Sequence, residues 1–121
     1  MFVLKQCIAL ESESDEADHS ALHAVAFNAL RQGIATGRLV SQGDASGRIG
    51  RLAVHRALRG EGIGQAILEA LVSAARQRSD HEVMLHAQCS AEGFYLREGF
   101  VARGESFVEA GIAHREMFKR L

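Results

Sequence analysis

The most constraining part of this chain is residues 50–78, G-R-L-A-V-H-R-A-L-R-G-E-G-I-G-Q-A-I-L-E-A-L-V-S-A-A-R-Q-R. A short apolar run, Leu52-Ala53-Val54, reads as the end of a buried strand. A basic turn with Arg56 and Arg59 follows, and then glycine at positions 60, 62 and 64. From Gly62 onward the apolar period becomes helical. Ile63, Ile67, Ala70, Leu71 and Ala74 recur at spacings of three and four, and Leu68, Val72 and Ala75 widen the stripe. Gln65, Glu69, Ser73, Arg76 and Gln77 stay polar on the other side. The pattern is strand, glycine turn, helix.

Backbone chemistry follows from that pattern. The first N–H groups of a helix have no internal partner and lie at the positive end of its dipole. Glycines at 60, 62 and 64 remove the side chains that would hold a phosphate away from those amides, and Arg59 at the lip adds charge-assisted hydrogen bonds. The stretch is therefore expected to bind a phosphate or pyrophosphate, the bland alternative being a glycine-rich connector. It is not a P-loop, because Gly64 is followed by Gln65 and Ala66 rather than Lys-Ser/Thr. Nor does it fit the dinucleotide fingerprint, because the glycines run G-x-G-x-G and begin six residues beyond Val54. Asp80, at a tempting distance for a ribose contact, sits beside Ser79 where a turn residue is expected.

Three motifs carry a family resemblance. Val54-x-x-x-x-Arg59-Gly60-x-Gly62-Ile63-Gly64 before an Ala/Leu-rich helix resembles the acyl-CoA signature of GNAT-type N-acetyltransferases. Residues 91–100, A-E-G-F-Y-L-R-E-G-F, resemble that family's F-Y-x-x-x-G-F segment. Residues 109–114, E-A-G-I-A-H, resemble the E-x-G-I-P-H turn of its small stand-alone bacterial ElaA-like branch. Their order and spacing make the resemblance specific, and it runs from about Phe2 to the last residue. It implies an α/β (α+β) GNAT fold: a central mixed, mostly antiparallel sheet splayed at the cofactor site. Against that pattern the chain lacks the first strand and most of the first helix.

Length and composition set the bounds. At 121 residues the chain is expected to form a single domain over residues 1–121, and 47% hydrophobic with 24% charged residues is ordinary for a globular protein. A net charge of −1 argues against a general nucleic-acid binder. Acidic residues crowd one stretch, Glu11, Glu13, Asp15, Glu16 and Asp18, which could draw a cationic amine or form a solvated loop. Arg48, Arg51, Arg56 and Arg59 crowd another beside the glycine turn, where they suit a polyanion such as coenzyme A or form solvated faces. Cys7 and Cys89 suggest neither a zinc site nor a redox pair, and the histidines at 19, 23, 55 and 81 show no metal-ligand spacing, so no metal is expected. No run of eighteen apolar residues and no secretion signal are present, which gives a cytoplasmic protein with no membrane partner as the expectation.

Taken in order, residues 1–8 are ambiguous by periodicity; the resemblance makes them the last turn of a helix. Residues 11–20 read as an acidic, polar connector, and 21–30 are apolar enough for a buried strand or a helix; the resemblance implies a strand, with Gln32-Gly33 as the hairpin turn. Residues 34–41 and 48–55 continue an antiparallel sheet around a turn at 42–47, and 83–88 form a new strand after the helix ends near Arg78. Ser90 is the expected N-cap of a short helix ending at Gly99. Residues 100–108 and 113–121 close the chain as a hairpin around 109–112. Proline is absent; where the family usually has it, this chain has Ala9, Arg56 and Ala113, which loosens loops more than it alters chemistry.

The resemblance implies a transfer of the acetyl group from acetyl-CoA to a primary amine, of a small molecule or of a peptide or protein. The amine attacks directly in a ternary complex. Backbone groups of Leu52, Ala53 and Val54 would pair with the pantetheine arm, and Arg59, Gly60, Glu61, Gly62, Ile63, Gly64 and Gln65 would hold the pyrophosphate. A bulge would supply the opening between this strand and 83–88. Tyr95, the one tyrosine, stands where the family often has its general acid, and a phenol can protonate a departing thiolate. His86 shares a strand face with Met84 and Gln88, where it either deprotonates the amine or hydrogen-bonds within a polar wall. Glu109 and His114 line the acceptor pocket or stabilise their turn. Arg97 contacts a phosphate or solvates the short helix and is left unassigned. A non-catalytic CoA-binding sensor or degenerate domain is the alternative, with a nucleotide-binding module of another fold behind it. An uncovered sheet edge makes a homodimer a further expectation. The acceptor amine is not written in the sequence.

Overall fold

The computed structural model describes residues 7–14, 20–54 and 62–121; Arg59, Gly60 and Glu61, together with His55 and Arg56, lie outside them. Among the described residues seven strands are formed: β1 (Cys7–Ser14), β2 (Ser20–Phe27), β3 (Gly33–Ser41), β4 (Ser46–Val54), β5 (Glu82–Gln88), β6 (Val101–Glu109) and β7 (Ile112–Arg120). Helix α1 (Ile63–Gln77) joins β4 to β5, and α2 (Glu92–Arg97) follows β5 after a single 3-10 turn at Cys89–Ala91. The strands make one sheet in the order β1-β2-β3-β4-β5-β7-β6. Every neighbouring pair is antiparallel except β4 and β5, which run parallel because α1 carries the chain back between them. This is the mixed, mostly antiparallel sheet expected.

α1 holds the sheet together. Ile63, Ile67, Leu68, Leu71, Val72, Ala74 and Ala75 are buried, while Ala70, expected on that face, is half-buried. The stripe packs on Ala24, Ala26, Leu39, Ile49, Val83 and Leu85, and Phe100 and Met117 complete the core. Full burial of one side chain such as Leu71 stabilises by about 1.5–3 kcal/mol. The close approach depends on Gly37, where an added Cβ would lie 2.8 Å from both Ile67 Cγ2 and Leu71 Cδ1. At the far end of α1, Arg78 Nε donates to the buried Asp80 carboxylate at 2.6 Å, beneath Gly47. Asp80 is thus a packed turn residue, as its neighbourhood in the sequence suggested, and not a ribose ligand.

Several expectations need correction. The stretch read as an acidic connector is strand β1 as far as Ser14, paired in full register with β2 from Cys7↔Phe27 to Ser14↔Ser20. It is an edge strand, which tolerates the polar E-S-E-S alternation that hid it. The turn after β2 is centred earlier than Gln32-Gly33, with Asn28 Oδ1 accepting from the N–H groups of Leu30 and Gln32, both at 3.0 Å. Ser90 caps nothing: the N-cap of α2 is Ala91, without a side-chain bond. Instead the other end of α2 is tied down, as Lys119 Nζ donates to the Glu98 carbonyl at 2.9 Å and Gly99 takes φ 90°. The closing hairpin turns through Ala110 and Gly111, φ 52° and 77°, the left-handed pair that a two-residue hairpin favours.

Candidate active site

β4 and β5 are hydrogen-bonded only where they begin, at Ser46↔Glu82, Gly47↔Val83 and Arg48↔Met84. Beyond Arg48 they part. A bulge in β4 accompanies the divergence: Thr36 pairs with Ala53 and Arg38 with Gly50, so Arg51 and Leu52 stand opposite Gly37 alone. Arg51 takes the extra residue's bend with φ 52°, a left-handed backbone that costs a side-chain-bearing residue roughly 1–2 kcal/mol. The expected bulge is therefore present, and with it a slot. Leu52-Ala53-Val54 is consequently not buried as the sequence suggested. Ala53 is exposed and its neighbours half-buried, because no strand covers their β5-facing side.

Two cavities meet in the slot. One, of about 620 Å³, is lined by Leu52, Val54, Gly62, Gly64, Gln65 and Arg97, among others. The second, of about 360 Å³, is lined by Gly50, Arg51, Leu85, His86, Tyr95 and His114, among others. Leu52, Ala91 and Tyr95 belong to both, so Tyr95 stands at their junction. The larger cavity ends at the N-terminus of α1. There Gly62 has φ 77°, no side chain caps the helix, and its first turn holds no acidic residue. The first internal bond among the described residues runs from Ala66 N–H to the Gly62 carbonyl at 3.1 Å, and the N–H groups of Ile63, Gly64 and Gln65 meet no acceptor among those residues. An added Cβ at Gly64 would sit 3.4 Å from Val54 Cγ2, filling the gap between helix and strand. Glycine keeps the approach open. These features fit an elongated ligand with an anionic end.

Tyr95, on α2, packs edge-on against Phe94 and Phe100 at 5.0 and 5.9 Å between ring centroids. Its pKa is raised from the ordinary value of 10.0 because burial penalises the phenolate. His86 Nδ1 lies 3.2 Å from Arg48 Nη2 and 3.3 Å from Glu109 Oε1. A guanidinium can only donate and a carboxylate only accept, so a bare Nδ1 takes the Arg48 bond and a protonated Nδ1 gives its hydrogen to Glu109. His114 Nδ1 lies 2.8 Å from the Ile112 carbonyl and donates to it, which fixes the ring, and His114 Nε2 lies 3.8 Å from Glu109 Oε2. Phe107 braces both rings, edge-on to His86 at 4.9 Å and stacked near His114 at 6.1 Å.

The fold thus brings Tyr95, His86, Glu109 and His114 to one side of the slot, and Leu52, Ala53, Val54, Gly62, Gly64 and Gln65 to the other; Ile63 is buried and offers only its backbone there. Of the arginines that suited either a polyanion or a solvated face, Arg48 touches His86 and Arg51 lines the smaller cavity. Arg97, left unassigned, lines the larger cavity, and its place one turn after Phe94 in the F-Y-x-x-x-G-F segment was the available signal. Phe107 was also missed, although it shares a strand alternation with Glu109. Among the described residues, no group of three or more His, Cys, Asp or Glu is gathered as metal ligands would be. Nor is any helix long and apolar enough to cross a membrane.

Comparison with known proteins agrees with this geometry. Residues 2–121 match the family model of the acetyltransferase (GNAT) domain. YjcF of Bacillus subtilis, described as an uncharacterized N-acetyltransferase, is 32% identical over 120 residues, covering 98% of this chain and 84% of its own. An acyl-CoA N-acyltransferase from Pseudomonas aeruginosa is 34% identical with a TM-score of 0.72, over 82% of this chain and 68% of that one. Escherichia coli ElaA is 30% identical with a TM-score of 0.73, over 84% of this chain and 68% of its own. The sheet splayed between β4 and β5 and the match along almost the whole sequence make one statement: this chain belongs to the GNAT family of acetyltransferases.

Proposed function

We propose that the protein transfers the acetyl group of acetyl-CoA to a primary amine by direct attack in a ternary complex. One observation carries the reading: the unpaired edge of β4 leads straight to the uncapped, glycine-flanked N-terminus of α1. Backbone groups of Leu52 to Val54 would pair with the amide-bearing pantetheine arm, and the N–H groups of Ile63 to Gln65 would take the pyrophosphate. Arg97, at the rim of the same cavity, would add a charge-assisted hydrogen bond. Arg59, Gly60 and Glu61 belong to the same motif.

In the reaction, the amine nitrogen attacks the thioester carbonyl carbon, a C–N bond forms and the C–S bond breaks. An N–H of β4 facing the slot would stabilise the oxygen that gains charge. Tyr95 stands at the junction of the cavities and is held protonated by its burial, so it can give its proton to the departing thiolate. His86 takes the proton that the amine loses, and the proton on Nδ1 then finds Glu109 at 3.3 Å. His114 lines the acceptor side of the slot, and Glu109 positions His86 there. Steady-state thiol release with Tyr95→Phe tests the assignment. A drop in kcat of a hundredfold or more with an unchanged KM for acetyl-CoA is expected for loss of a general acid. An unchanged kcat would remove Tyr95 from the chemistry.

A further inference from the structure

The smaller cavity has a charge pattern that the acetyl-transfer reading does not explain. None of the described residues that line it is acidic, whereas Arg51, His86 and His114 are among them. The Glu109 carboxylate is turned to the two histidines, 3.3 Å from His86 Nδ1 and 3.8 Å from His114 Nε2. Arg48 reinforces the same side through its 3.2 Å contact with His86. Arg51 is the informative residue. Arg78, Arg103 and Arg115 each meet a carboxylate, but Arg51 has no ion pair or hydrogen bond to its side chain among the described residues. It nevertheless occupies a left-handed backbone in the bulge, φ 52°, where glycine or asparagine would sit with less strain. A strained, exposed guanidinium at the wall of a cavity whose described lining holds no acid has the character of a binding group.

We propose that the acceptor is a small primary amine that also carries an acidic group, a carboxylate or a phosphate, and that Arg51 receives this group. The proposal rests on the acetyl-transfer reading and narrows its substrate class. A guanidinium fork matches either oxyanion in two-point fashion. The amine end then lies on the Tyr95 side of the cavity, where the two cavities join. A diamine, by contrast, would bring its second cation to a wall whose described lining offers arginine and histidine, while the Glu109 carboxylate beside it is taken up by those two histidines. That mismatch discriminates against polycationic acceptors.

The test is a set of matched acceptors assayed with acetyl-CoA by thiol release: 4-aminobutanoate, alanine, phosphoethanolamine, butylamine and 1,4-diaminobutane. At least one acidic amine is expected to exceed both butylamine and 1,4-diaminobutane tenfold or more in kcat/KM. The carboxylate and phosphate arms then tell which oxyanion is preferred. Arg51→Asn, which suits the left-handed backbone, should shrink that ratio at least fivefold with a KM for acetyl-CoA within twofold of wild type, and Arg51→Lys should restore part of it. Butylamine or 1,4-diaminobutane turning over as well as the best acid would overturn the proposal, as would an undiminished ratio in Arg51→Asn. Calorimetric titration of acetyl-CoA separates the two levels. Binding with a preference for diamines sinks only this proposal, whereas no binding sinks the acetyl-transfer reading and the proposal together.

Discussion

Gly37 is where the packing of α1 on the sheet can be tested most sharply. A methyl group there would lie 2.8 Å from Ile67 Cγ2, 2.8 Å from Leu71 Cδ1 and 3.0 Å from Leu52 Cδ1. Carbon atoms rest at about 3.5–4.0 Å, so three side chains must each retreat by roughly half an ångström or more. Ile67 and Leu71 are fully buried and have little room to do so. Overpacking of this kind costs about 1–3 kcal/mol, offset by about 0.5–1 kcal/mol because alanine has less chain entropy to lose than glycine. Gly37→Ala should therefore destabilise by about 1–2 kcal/mol. With an unfolding entropy of about 2.1 cal/mol/K per residue, that is a fall in Tm of roughly 4–8 °C for a chain of 121 residues. Gly50→Ala is the matched control in the adjacent strand, because an added Cβ there meets nothing within 4 Å. It should be neutral or slightly stabilising. Scanning calorimetry of both variants decides the matter, and a Gly37→Ala protein as stable as Gly50→Ala would refute the packing argument.

Other expectations are more local. Tyr95 is the chain's one tyrosine and tryptophan is absent, so absorbance at about 295 nm reports its ionisation directly, with a midpoint above the ordinary 10.0 expected. The folded state then keeps a proton that the unfolded chain releases; the Tyr95 contribution to stability is complete below pH 10.0 and declines as pH rises through the folded midpoint. A midpoint at or below the free value would contradict the buried placement. Asp80→Ala leaves Arg78, whose Nη2 is already buried without a hydrogen bond, uncompensated, and should cost about 1–3 kcal/mol in urea denaturation with no effect on turnover. A loss of acetyl-CoA affinity in that variant, with stability intact, would instead revive a ligand role for Asp80.

The centre of the fold was legible because its signals are local. A helical period after a glycine turn and strands on either side of a turn at 109–112 depend on neighbours in sequence, and α1, β5 and the β6–β7 hairpin appeared where those signals put them. The open slot came through the family resemblance and not through periodicity. Leu52-Ala53-Val54 looks like any buried strand until its partner diverges. β1 was hidden because edge strands need only one apolar face, and Glu11 to Ser14 offer none. The cluster of His86, Glu109 and His114 depends on register: Gln88 pairs with His114, and His114 with Phe107, which carries residues 23 apart into contact. No spacing in the sequence encodes that. Arg51 stood out only as one of a group of basic residues; its place in the bulge has no signal, since that is a property of the pairing between β3 and β4.

The account stands or falls on where the anionic end of acetyl-CoA goes, and titration calorimetry of wild type against Gly64→Asp tests this directly. Aspartate at the second position of α1 replaces a helix-weakening glycine in a first turn that holds no acid, so the variant should be as stable as wild type or more so. The same carboxylate occupies the approach to the N–H groups proposed to take the pyrophosphate. The account predicts micromolar-range binding by wild type and at least a tenfold loss, about 1.4 kcal/mol, in a fully folded Gly64→Asp. Equal affinity in the two proteins would contradict it.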